Sequence, residues 1–129
     1  MMVKRRSHER GQDLVEYALL LPIFLLLVMA IVDLGRATYY YSAIHNSARE
    51  GARYGVIHPD DPAGIETVVL TKSVGLNPAF LTVTTILPDE KTIQVTVTFQ
   101  FRVVTPIVGA LIGSNEVTLG SRATMRIEG

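Results

Sequence analysis

The chain of 129 residues contains no cysteine and no tryptophan, and its twelve basic residues balance twelve acidic ones. Without cysteine it can form neither a disulfide nor a cysteine-based metal site, although this absence does not fix its compartment. A net charge of zero argues against a nucleic-acid partner. The length allows one modest domain rather than two.

The sequence also lacks the patterns that carry enzyme chemistry. His8, His45 and His58 lie in three separate segments, without the spacing of metal ligands. No glycine-rich phosphate loop or nucleophile elbow is present. The acidic pairs at 60–61 and 89–90 stand in turn contexts, where capping and solvation explain them. We therefore predict no enzyme, cofactor or metal site, the alternative being an active site assembled from distant residues.

What the sequence does contain is an uncharged run from Ala18 to Val32 behind a basic N-terminus. Roughly 15 residues rise only ~22 Å, but an extension back to Leu14 gives about 19, near the lower limit for crossing a bilayer. We predict a transmembrane segment at about 14–33. Glu16 then lies at bilayer depth, which is costly unless the acid is paired or protonated. The basic residues before the run place the N-terminus on the cytoplasmic side, namely Lys4, Arg5, Arg6 and Arg10.

The residues around Glu16 resemble a known processing site. Gly11 is followed by four residues, then by Glu16, Tyr17 and the apolar run, as in type IV prepilin-like proteins. The longer stretch GQDLVEYALLLPIFLLLVMAIVDLGRATYYYSAIHNSAREGARYG, from Gly11 to about Gly55, is similar to the N-terminal region of the TadE-like family. These are pseudopilins of tight-adherence (Flp) pilus systems.

The resemblance implies a structural protein of a pilus. It implies cleavage after Gly11 by a prepilin peptidase, so that residues 1–11 are a cytoplasmic leader and Gln12 is the mature N-terminus, with an amine open to methylation. Gly11, Gln12, Glu16 and Tyr17 would be the processing and assembly residues. The other implied partners are further pilins or pseudopilins, the inner-membrane assembly platform and membrane lipid. The protein would be a single-pass inner-membrane protein that can enter a surface pilus.

A cut after Gly11 would also answer the problem of the acid at bilayer depth. The new α-amine of Gln12 has a reference pKa of ~7.7–8.0 and is largely protonated at neutral pH. It can pair with Glu16 of the same chain or of a neighbour. At ~4 Å and an effective dielectric constant of ~20, such a pair gains about 4 kcal/mol before desolvation.

Two other functions stay open. One is an extracytoplasmic binding or scaffold protein that remains anchored in the membrane. The other is a secreted domain, cut near Ala30, where Val28-Met29-Ala30 offers a weak signal-peptidase site. Against secretion, Asp13 and Glu16 stand between the basic cluster and the apolar run.

The fold class that the sequence predicts is α+β. A long helix over 12–57 would be transmembrane in its first half and amphipathic in its second, and the extracytoplasmic domain would span 58–129. The amphipathic half would cover a small antiparallel sheet, as in pilins. Its predicted inner stripe follows steps of three and four, through Leu34, Ala37, Tyr41, Ile44, Ala48, Gly51, Ala52 and Gly55.

The predicted sheet follows two short helices and turns. Asp61 and Pro62 start a short helix that Gly75 ends. Strands are predicted at 80–87, at 92–104 and at about 117–127, the second with strict alternation of apolar and polar residues. Between the last two strands, Thr105-Pro106 opens a short apolar turn or helix. We expect its apolar residues to fill the core rather than touch lipid, namely Ile107, Val108, Leu111 and Ile112.

Overall fold

The computed structural model describes residues 7–128, with side chains from residue 11 onward. The basic residues Lys4, Arg5 and Arg6, and the side chain of Arg10, lie outside the described part. The α+β class is confirmed. In chain order the elements are α1 (Ser7–Ile57), α2 (Pro62–Lys72), a 3-10 turn (Pro78–Phe80), β1 (Leu81–Asp89), β2 (Thr92–Arg102), α3 (Pro106–Ile112) and β3 (Glu116–Arg126).

One helix, α1, runs through both halves of the predicted long helix and continues through Pro22. Its first half carries the apolar segment, by which we mean Leu14–Val32, and its second half joins the rest of the fold. We call residues 33–128 the head. The Asp61 carboxylate accepts a hydrogen bond from the Gly64 N–H at 2.9 Å and so caps α2, as predicted.

The sheet has three antiparallel strands in the order β1-β2-β3. Val97 of the central strand pairs with Val83 on one side and with Ser121 on the other. The predicted alternation is confirmed, because the apolar residues of β2 and its extension are buried while Gln100 and Arg102 are exposed. The buried set is Ile93, Val95, Val97, Phe99, Phe101 and Val103.

The head half of α1 covers this apolar face together with α2. Small residues of α1 make the close approach possible. A Cβ on Gly51 would lie 2.5 Å from Cγ2 of Val69, and one on Gly55 would overlap Ile93. A side chain larger than hydrogen at either position would therefore require Val69 or Ile93, or α1 itself, to shift. The buried residues that α1 and α2 add to the core are Ile44, Ala48, Ala52, Ile65 and Val69.

The predicted inner stripe of α1 is wrong at its first turns. Leu34 and Tyr41 are exposed, whereas Asp33 is buried and Tyr40 packs against the core. The true stripe therefore starts one residue earlier. The reason is that the head draws Asp33 inward through hydrogen bonds, and this fixes the rotation of α1 about its axis.

The expectation that α3 fills the core is also wrong for most of its apolar residues. Ile107, Leu111 and Ile112 are exposed, while Val108 packs against the core and Gly109 is buried. The inner face of the sheet is already covered by α1 and α2, so α3 has no apolar face of the head left to fill.

The buried face of β2 leads to a first prediction. Val97 is 0% exposed at the centre of the core, so Val97→Asp places an unpaired charge there. We expect the free energy of unfolding to fall by about 3–5 kcal/mol. Urea unfolding of the full chain in detergent micelles, followed by circular dichroism, measures it.

The matched control is Thr96→Asp, on the opposite face of the same strand and across from Arg122. It should stay within about 1 kcal/mol of the parent chain. Equal losses from the two variants would show that the buried face of β2 is misassigned.

Candidate functional site

The four residues that the sequence singled out lie together near the start of α1. Gly11, Gln12, Glu16 and Tyr17 are all exposed. Gln12 and Glu16 stand four residues apart, hence on one face of the helix. Helical side chains lean toward the N-terminus, so the Glu16 side chain extends toward the backbone of Gln12. Gly11 and Tyr17 add no contact to this pair that the structure records.

The fold itself has no need of glycine at position 11. A Cβ built on Gly11 meets nothing within 4 Å. Glycine inside a helix is destabilising by roughly 0.5–1 kcal/mol relative to alanine. A requirement for glycine at this position would therefore have to come from another molecule that binds there.

Glu16 is the acidic residue inside the apolar segment, since Leu14–Val32 holds no other ionisable carboxylate. Among the interactions of residues 11–128, its carboxylate takes part in no hydrogen bond and no ion pair. Its neighbours along the helix are Val15 and Tyr17. In a low-dielectric environment this carboxylate would have to bind a cation or be protonated. The interactions of residues 11–128 supply no such cation.

The apolar segment is bare over most of its surface. Its large side chains are exposed, with only Leu26, Met29 and Ala30 half-buried, on one side of the helix. Its 19 or so residues rise about 28 Å. α1 is thus long and apolar enough to cross a membrane. An apolar surface of this extent is typical of contact with lipid or with other protein chains.

The junction between the apolar segment and the head is built around Asp33. This residue is 6% exposed and directly follows the apolar segment. Its carboxylate accepts hydrogen bonds from the Thr105 N–H at 2.8 Å and the Thr105 hydroxyl at 2.7 Å. The Val104 N–H donates at 3.0 Å, and Arg36 Nη1 at 3.2 Å. Four donors therefore converge on one carboxylate.

This junction corrects a simpler interpretation of the sequence. The spacing of Asp33 and Arg36 predicts an exposed ion pair of a few tenths of a kcal/mol. In the structure the pair exists, but Asp33 is buried and most of its donors belong to residues 104–105. Their partnership joins positions 72 apart, which no local spacing could reveal.

Arg36, which donates to Asp33, also packs against aromatic side chains of the core. Its guanidinium lies 5.7 Å from the ring centre of Tyr40 and 6.0 Å from that of Phe101. Tyr40 packs edge-on against Phe99 and Phe101. The sequence left open whether the tyrosines at 39–41 lie at a membrane surface or pack. Tyr40 packs, and the Tyr39 hydroxyl donates to the Val74 carbonyl at 2.9 Å.

The other polar cluster of the head is structural. The Gly64 N–H and the Tyr54 hydroxyl hold the pKa of Asp61 below its usual value, and the same bond to Asp61 raises the pKa of Tyr54. His58 stacks on Tyr54. These contacts fix the turn between α1 and α2. Among the side chains of residues 11–128, no group of histidine and acidic residues is arranged to hold a metal ion.

Comparison with known proteins gives one match. The model of the family described as TadE-like protein matches residues 11–53, which begin at Gly11 and end within the head half of α1. The resemblance inferred from the sequence is thereby confirmed for this stretch. The family suggests a pilus-associated, pilin-like protein. No curated protein and no solved structure matches the chain.

The junction leads to the second prediction. Asp33→Ala leaves the donors of Thr105 and Val104 without their buried acceptor, so we expect a loss of about 3 kcal/mol in the free energy of unfolding. Urea unfolding of the full chain in detergent micelles measures it. The control is Asp60→Ala, which removes an exposed carboxylate and should change stability by less than about 0.5 kcal/mol. An Asp33→Ala variant as stable as this control would refute the role of the junction.

Proposed function

Taking the match of residues 11–53 to the TadE-like family as the premise, we propose that this chain is a pseudopilin of a tight-adherence pilus. A prepilin peptidase cuts it after Gly11, and the mature chain takes part in pilus assembly. Residues 1–11 are then a cytoplasmic leader, and residues at about 14–33 cross the inner membrane. The head stands on the extracytoplasmic side, where the proposed α+β domain spans residues 58–129.

The observation that carries the proposal is the state of Glu16. It is an exposed acid within an otherwise apolar helix surface, with no partner among the interactions of residues 11–128. Such an arrangement is costly in lipid and has no value for the stability of the monomer. A cation that becomes available after folding would explain the unpaired acid at Glu16. A cut after Gly11 creates such a cation, the α-amine of Gln12.

The position of the new amine suits this role. The cut would leave Gln12 at the first turn of α1, one helical turn before Glu16. The amine then lies at the positive end of the helix, so a carboxylate nearby is favoured by the helix dipole as well. When a second subunit packs alongside, the amine of Gln12 can pair with Glu16 of that subunit instead of Glu16 of its own chain. The pairing of amine and acid would thus set the axial register between neighbouring subunits.

The exposed apolar segment supports the same assignment. Before assembly its side chains would face lipid, and in a pilus they would face the apolar segments of neighbouring subunits. Both environments are apolar, so transfer between them costs little. The proposed partners are therefore membrane lipid, a prepilin peptidase, other pilins or pseudopilins and the inner-membrane assembly platform.

The third prediction concerns the processing site. In cells that carry the cognate pilus system, mass spectrometry of the isolated protein should find Gln12 at its N-terminus, with or without a methyl group. The variant Gly11→Val should remain uncut, because the added side chain would not fit a peptidase subsite shaped for glycine. Since a Cβ at Gly11 meets open space, the fold should be unchanged.

The matched control is Gly35→Val. Gly35 lies on the same helix, and a Cβ there also meets nothing within 4 Å. This variant should be processed normally. A mature chain that starts at Ile31 would instead indicate a secreted domain, and a parent chain that is never cut would indicate a permanently anchored binding or scaffold protein. Either result refutes the proposal.

The fourth prediction concerns assembly. Glu16→Leu should insert into the membrane as the parent chain does, since it removes a charge from the apolar segment. It should nevertheless reduce pilus assembly strongly, because the amine of Gln12 loses its partner. Electron microscopy and sheared-pilus yield measure assembly, and membrane fractionation measures insertion.

The control for this experiment is Asp13→Leu, the same type of change three residues earlier and outside the apolar segment. It should assemble better than Glu16→Leu. Normal pili from cells that carry only the Glu16→Leu chain would show that the acid has no part in registration.

A further inference from the structure

The short helix α3 carries an apolar surface that the head does not use. Residues 103–113 contain no charged side chain. Within them Leu111 is 81% exposed, Ile112 56% and Ile107 49%. Within α3 itself, Val108 and Gly109 turn toward the head. Large aliphatic side chains exposed together are typical of an interaction surface.

The ends of this segment are fixed at one end of the sheet. Val103 donates its N–H to the carbonyl of Asn115 at 2.8 Å, so the chain leaves the sheet after Val103 and returns at Asn115. Thr105 precedes α3 but does not cap it with its side chain, because the hydroxyl donates to Asp33 instead. Pro106 then begins α3. The helix therefore starts beside Asp33, the residue that directly follows the apolar segment.

One face of the apolar segment, the face on which Asp33 also lies, is half-buried near the head. Leu26, Met29 and Ala30 precede Asp33 by seven, four and three residues, and so lie on its face of α1. They are half-buried, while Leu27 and Ile31 on other faces are exposed. The last two turns of the apolar segment are thus partly covered on the face where α3 begins.

We propose that α3 inserts into the head-side leaflet of the membrane and is a second, interfacial anchor of this protein. It lies against the end of the apolar segment with Ile107, Leu111 and Ile112 toward the acyl chains. Helices that lie in the membrane interface bury their apolar side chains about 5–10 Å into the boundary between headgroups and acyl chains. The proposal rests on the membrane-spanning role of the apolar segment proposed above, but not on processing or on pilus assembly.

Lipid fits this surface better than a second protein chain does. If the apolar segment spans the membrane, its end at Val32 marks the head-side boundary, and Asp33 holds the start of α3 at that level. Lipid is then the first neighbour of α3, before any assembly occurs. Just beyond the uncharged stretch stand Arg36 and Arg102. The side chain of Arg102 is 78% exposed, although its Nη2 lies 3.7 Å from a carboxylate oxygen of Glu116. Both cations are at the height where lipid phosphates would lie.

An interfacial anchor would fix the orientation of the head. The apolar segment alone allows the head to tilt and rotate above the bilayer. A second contact beside it holds the end of the sheet that contains Arg102 against the membrane and points the β1–β2 turn away. The head would therefore present the same side to neighbouring proteins.

The lack of native tryptophan allows a direct test, since a single introduced tryptophan is the only indole in the full chain. The three variants are Leu111→Trp in α3, Leu25→Trp in the apolar segment and Leu87→Trp near the far end of the sheet. Leu87 is a matched control, because it is an exposed leucine (49%). It follows Ile86, which pairs with Gln94, roughly 26 Å along β2 from Arg102.

Each full-length variant is reconstituted in phosphatidylcholine vesicles with and without brominated acyl chains, and the tryptophan emission is compared. We expect bromine to remove most of the emission of the Leu25→Trp and Leu111→Trp chains and to leave that of Leu87→Trp nearly unchanged. Emission from Leu111→Trp should also be shifted to shorter wavelength relative to Leu87→Trp. The extent of quenching should not depend on the ratio of protein to lipid.

The other outcomes are distinguishable. Quenching of Leu25→Trp without quenching of Leu111→Trp overturns the α3 anchor and leaves the membrane span intact. A blue-shifted Leu111→Trp that bromine does not quench, at high ratios of protein to lipid, assigns the surface to a second copy and also overturns it. Failure to quench Leu25→Trp removes the span and with it the proposed function. Equal quenching of Leu87→Trp and Leu111→Trp would mean that the head lies flat on lipid, against the proposed orientation.

Discussion

The structure depends on one buried carboxylate. Asp33 follows the apolar segment directly, and it is excluded from water at the point where α1 meets the head. Burial of a carboxylate costs several kcal/mol unless hydrogen bonds replace its hydration. Thr105, Val104 and Arg36 supply those bonds. Since three of the four donors come from residues 104–105, the junction is a tie between two distant parts of the chain rather than a local helix contact.

This tie fixes more than the position of one side chain. With Asp33 turned toward the head, Tyr40 follows it two turns later and packs edge-on between Phe99 and Phe101. The small residues further along α1 then face the sheet, where Gly51 and Gly55 allow contact at backbone distance. The covered sheet has no room for α3, so that helix remains outside with most of its apolar residues exposed. A single electrostatic constraint thereby sets the rotation of α1 and, through it, what is left on the surface.

The parts of this fold that the sequence could predict are those set by local periodicity. The alternation along 92–104 identified the buried face of β2, and Asp61 with Pro62 marked the start of α2. The first turns of the inner stripe of α1 were predicted one residue out, because Leu34 and Tyr41 fit an apolar stripe with Ala37 as well as Tyr40 does and better than Asp33 does. What decides between them is a bond to Thr105, 72 residues away. The same reason explains the misplaced residues of α3, since covering of the sheet by α1 and α2 is a property of the whole fold. The candidate site shows the opposite case: Gly11 and Glu16 stand in a local motif, so the sequence could single them out. Their roles stay predictions, because those roles depend on other molecules.

Two acids of α1, Asp33 and Glu16, show where the monomer is complete and where it is not. The buried carboxylate of Asp33, at one end, receives all of its hydrogen bonds from its own chain. The carboxylate of Glu16, near the other end, has no hydrogen bond and no ion pair among the interactions of residues 11–128. Both acids nevertheless lie on the same helix beside similar apolar neighbours. Since the chain supplies four hydrogen-bond donors to Asp33, nothing physical prevents it from placing a basic residue beside Glu16. If the apolar segment crosses a membrane as proposed, the contrast favours a partner for Glu16 that arrives after folding, from a new terminus or a second subunit. On this view the head end of α1 is built for stability and its first turns are built for assembly.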